Sequence, residues 1–76
     1  MSMAEKDKLK TLLRYWVEHN EEHSQEFKEW AEKAREMGEA EVADEIMQAV
    51  GNMDKVTEIL TKTLKRLEEA AGNVFS

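Results

Sequence analysis

Two histidines four residues apart, His19 and His23, are the side chains best suited to bind a ligand or carry a proton. Residues at this spacing lie above one another on a helix, so the two imidazoles can share one metal ion. Glu26 extends the stripe with a carboxylate, which makes His19, His23 and Glu26 the candidate metal ligands. Three ligands strung over about two turns are too spread for one small ion, so further donors would have to come from the second helix or from another chain. Two plainer roles compete with a metal. One is a partly buried, hydrogen-bonded pair, and the other is a proton-sensitive contact that protonation at about pH 6 would disfavour.

Other chemistry finds little support. The string HNEEH, His19 to His23, matches the H-x-x-E-H pattern of inverted zinc proteases, but so short a match arises readily in a glutamate-rich chain, and those enzymes take a third ligand from a distant helix. The di-iron bundle signature needs a Glu three residues before a His, and Trp16 and Asn20 occupy those places. The chain has no cysteine and no glycine-rich loop ahead of a helix. Ser24 follows His23 directly, and neighbours on a helix point about 100° apart, which rules out a nucleophile–base pair. No enzyme and no resident cofactor is expected, with a divalent metal as the alternative.

Acidic residues outnumber basic ones by 17 to 11, for a net charge of −6, which repels both nucleic-acid and lipid phosphates. The opening MSMAEKDKLK has no apolar signal region, and no stretch is apolar enough for a membrane span. A cytoplasmic protein with neither nucleic-acid nor membrane partners is expected. At 76 residues without a disulfide, a single domain (1–76) is hard to stabilise alone, so self-association is the natural supplement.

The elements that position the histidines can be read from caps and periodicity. Ser2-Met3-Ala4-Glu5 fits a capping box, and neither Pro nor Gly occurs before Gly38, so the first helix is predicted over 3–37. The turn falls at 38–41, the second helix at 41–71 and a tail at 73–76. Gly51-Asn52 marks a kink or break in the second helix, with one continuous helix favoured by the unbroken phase of its apolar residues.

Each helix carries an apolar seam at alternating four- and three-residue steps. The first runs Leu9, Leu13, Trp16, Asn20, His23, Phe27, Trp30, Ala34, Met37, and the second Val42, Ile46, Ala49, Met53, Val56, Leu60, Thr63, Leu67, Ala70. A short turn makes the helices antiparallel neighbours, with residues whose numbers add to roughly 80 lying level. On this basis the seams form the hairpin core, Trp16 and Trp30 lie within it, and Asn20 is a buried polar residue facing Thr63. A buried seam asparagine typically selects register and oligomeric state.

Beside the seams runs a strip free of charge. It comprises Val17, Ser24 and Ala31 on the first helix and Ala43, Val50, Thr57, Leu64 and Ala71 on the second, and it is expected to be a second packing surface, the interface of a homodimer. Residues 18–45 hold eleven acids and three bases, and the remainder six acids and eight bases. Antiparallel stacking of two hairpins sets the acidic end of one against the basic end of the other. The expected fold is therefore all-α: an antiparallel hairpin of two long helices that dimerises into a four-helix bundle.

The stretch LLRYWVEHNEEHSQEFKEWAEKA, Leu12 to Ala34, resembles a small uncharacterised prokaryotic helical domain family marked by H-W-x-E-H-N-x-x-H followed by F-x-x-W-A. Trp16, Glu18, His19, Asn20 and His23 match that pattern, while its first histidine falls on Tyr15. The similarity extends through GEAEVADEI toward Leu67. The resemblance implies no activity. The function expected from the residues is a self-associating assembly or adaptor module with an unidentified protein partner, and the alternative is a histidine-based metal-binding or sensing protein.

Overall fold

The computed structural model of the chain describes residues 2–72, with side chains described as far as 69. Helix α1 spans Met3–Glu36 and helix α2 spans Ala40–Gly72. The expected tail at 73–76 lies outside the described residues. No helix among the described residues is long and apolar enough to cross a membrane.

Local chemistry sets both ends of α1. The Ser2 side chain accepts a 3.1 Å hydrogen bond from the Glu5 backbone N–H, satisfying one of the donors left free at a helix start. Glu5 in the first turn and Lys33 and Arg35 in the last complement the helix dipole. At the other end Gly38 N–H bonds to the Arg35 carbonyl and Glu39 N–H to the Ala34 carbonyl, the paired bonds of a Schellman cap. Gly38 supplies the left-handed backbone that this cap requires, at φ +83°.

Helix α2 begins at once: the Ala43 N–H bonds to the Glu39 carbonyl, so only residues 37–39 separate the helices. The helix runs through Gly51 and Asn52 without a break. Thr57, Thr61 and Thr63 each return their hydroxyl proton to the carbonyl four residues back. Such bonding lets a threonine sit in a helix without an unsatisfied donor.

The two helices pack antiparallel in a slab 56 × 21 × 15 Å. Three side-chain pairs tie them together: Arg14 to Glu68 at 2.8 Å, Ser24 to Asp54 at 2.7 Å and Arg35 to Asp44 at 2.7 Å. The numbers in these pairs add to between 78 and 82, which gives the register of a hairpin with a tight turn. Among the described residues the buried ones are mostly small for a core: Leu13, Ser24, Ala31 and Ala34 on α1, Ala43 and Val50 on α2.

That set corrects the expected interior in part: Leu13 and Ala34 belong to the first seam, and the other four do not. The strip assigned to a dimer interface faces inward: Ser24, Ala31, Ala43 and Val50 are buried between the chain's own helices, and Val17, Thr57 and Leu64 are half-buried. The side chain of Ala71, the last residue of that strip, lies outside the described residues. The physical reason is size. Short side chains let two helix axes approach closely, which maximises contact along the whole hairpin. Tryptophans at the same interface would hold the helices apart.

Candidate functional site

The bulky seam residues that short side chains displace from the interior gather on one broad face. Trp16, Trp30 and Met37 are 40%, 55% and 67% exposed, and Val42, Val56 and Ile59 are exposed on α2. Trp16, His23, Trp30 and Met37 recur every seven residues and so share one stripe of α1. Val42, Ala49 and Val56 form the corresponding stripe of α2. In an antiparallel pair these stripes lie on the same side of the hairpin, with half-buried Phe27, Ile46, Met53 and Leu60 on the floor between them. The expectation that Trp16 and Trp30 are core residues of the hairpin is thus overturned. Lys33 places its ammonium 4.2 Å from the Trp30 ring centroid, a cation–π contact at the rim of the face.

Asn20, expected to be buried in the hairpin core, is half-buried at the edge of this face. Thr63 is exposed and donates to the Ile59 carbonyl of its own helix, so it does not serve as the buried partner expected for Asn20.

The histidines stand at mid-height on the same side. His19 Nε2 and His23 Nε2 are 2.9 Å apart, with the rings edge to face at 4.3 Å between centroids. Two imidazole nitrogens approach this closely only when one carries a proton and the other offers its lone pair. Tyr15 stacks on His19, with ring centroids 5.3 Å apart and 17° between planes, and Phe27 flanks His23 at 6.1 Å. Glu26 Oε1 lies 3.6 Å from His23 Nδ1. A carboxylate on that side favours the tautomer with the proton on Nδ1, which leaves Nε2 free to accept. The geometry therefore moves Glu26 from a direct ligand to an orienting group behind His23. Among the described residues no group of three His, Asp or Glu side chains converges on one point within the chain.

Sequence reasoning missed two contributors. Tyr15 was a departure from a motif, yet it stacks on His19 because four residues separate them on one face. Ser24 was placed on an outer strip, yet its hydroxyl donates to Asp54 in the hairpin interior. The signal was present in the register, since residues 24 and 54 are level in an antiparallel pair.

Fold and site together define a class: a two-helix hairpin with a small-residue interior, one exposed aromatic face and a histidine pair at mid-height. The chain belongs to the family described as Domain of unknown function (DUF8180), whose pattern matches residues 9–67. It is also similar to an uncharacterized protein of Archaeoglobus fulgidus, 41% identical over 58 residues that cover 76% of this chain and 92% of that protein. No solved structure matches it.

Proposed function

We propose that this chain is a non-enzymatic assembly module that works as an antiparallel homodimer, two hairpins stacked face to face into a four-helix bundle. The observation that carries this reading is the exposure of Trp16, Trp30, Met37, Val42 and Val56 on a single face. Contiguous apolar surface of this extent on a soluble chain marks a contact surface.

The extent of the face and the charge distribution favour a second copy as the occupant. The face runs along the first helix from Trp16 to its C-cap Met37 and along the second from Val42 to Ile59, so a second hairpin laid on it covers both helices at once. Antiparallel stacking also brings the acidic turn end of each hairpin, with eleven acids and three bases over residues 18–45, against the open end of the other, with six acids and eight bases. Parallel stacking would oppose acid to acid. An acidic, cysteine-free module of this kind suits the cytoplasm.

Sedimentation equilibrium over micromolar concentrations, with far-UV circular dichroism alongside, tests the reading. The expected result is a dimer, with Trp30→Glu raising the dissociation constant by roughly 30-fold or more. A wild-type chain that is folded and monomeric at micromolar concentration would overturn it.

A further inference from the structure

We infer that His19 and His23 are half of a divalent transition-metal site, completed by the same two histidines of a second copy. The inference rests on the antiparallel assembly proposed above, and three features of the pair carry it further.

The first is convergence. The two Nε2 atoms face each other 2.9 Å apart, on one side of the helix. Two nitrogens bound to one tetrahedral zinc at about 2.1 Å are about 3.4 Å apart, so a small ring rotation, with the His19 proton moving from Nε2 to Nδ1, frees both Nε2 lone pairs for one metal ion. The second is orientation. Glu26 lies 3.6 Å from His23 Nδ1, the arrangement in which a carboxylate behind an imidazole strengthens it as a ligand, and Tyr15 stacks on the His19 ring.

The third is position. Helix α1 spans Met3–Glu36, so its midpoint falls next to His19. When two hairpins stack antiparallel with full overlap, α1 lies along the partner's α1 and the two-fold axis passes through this midpoint. Each histidine pair then lies within about one helical turn, or 5.4 Å, of its symmetry mate along the helix axis, on facing helices. His23 shares its stripe with Trp16 and Trp30, and His19 stands one turn before it at the rim of the contact face. One chain supplies two imidazoles, too few for a closed site, and two chains supply four, the number a tetrahedral structural site takes. Imidazole ligands select zinc, nickel, copper or cobalt over calcium and magnesium.

Native mass spectrometry of the untagged 76-residue chain, incubated with zinc and exchanged into buffer without free metal, provides the test, with sedimentation in EDTA run separately. One zinc ion per two chains is expected. His23→Ala and His19→Gln should each lose the ion while remaining dimers in EDTA, and Glu26→Gln should weaken zinc binding by about 10-fold. A metal-free wild-type dimer, or zinc retained equally by both histidine variants, would overturn the metal site and leave the assembly standing. A chain monomeric in EDTA that dimerises on zinc would support the site and overturn the metal-independent assembly. A chain monomeric under both conditions would overturn both.

Discussion

The Ser24 hydroxyl donates a 2.7 Å hydrogen bond to the Asp54 carboxylate across the interior of the hairpin, from a side chain that is 4% exposed. It is the polar contact nearest the middle of the small-residue interface, and it links the register of the two helices to one donor and one acceptor. Ser24→Ala removes the donor while Asp54, exposed on its far side, keeps access to water. The expected cost is about 1–2 kcal/mol. Urea titration of Ser24→Ala, Asp54→Ala and the double variant checks it, since a genuine pair yields a non-additive cycle.

Ala43 is fully buried, and its position distinguishes an inner strip from an outer one. Ala43→Leu forces extra methylenes between closely approached helices and should lower hairpin stability by about 1–3 kcal/mol. On an outer strip the same change would leave the hairpin's own stability unaltered. Thermal denaturation of the variant decides between these outcomes.

Gly51 lies in the middle of α2, and a Cβ built on it meets nothing within 4 Å. Its only local effect is the added backbone entropy of the unfolded chain. Gly51→Ala should therefore stabilise the protein by about 0.5–1 kcal/mol, read as a higher denaturation midpoint with an unchanged slope.

Asn20, half-buried beside the proposed two-fold axis, is expected to serve register more than stability. Asn20→Leu should raise the thermal midpoint while sedimentation reveals a mixture of assembly states. A variant that is less stable than the wild type would remove this role.

Much of the hairpin was legible from local signals. The Ser2 side chain caps the first helix by accepting from the Glu5 N–H, Gly38 takes the left-handed turn, and the second helix runs unbroken through Gly51-Asn52, as the unbroken apolar phase from Val42 onward indicates. The closeness of His19 and His23 was likewise legible, because four residues on a helix fix their separation without any tertiary contact. Thr63 was misplaced as the partner of Asn20 for a related reason: level positions on two helices do not face each other unless both also share the contact stripe.

By itself, then, the sequence determined two long helices, their caps, their antiparallel order and the residues forming each apolar stripe, because these depend on spacing of a few residues along one chain. Only the tertiary structure decided which of two adjacent stripes became the interior. Both are apolar and both have the heptad period, so the pattern alone leaves the rotation of each helix about its axis open. Packing resolves it in favour of Ser24, Ala31, Ala43 and Val50, whose short side chains permit close approach, and leaves Trp16, Trp30 and the histidine pair on the outer face.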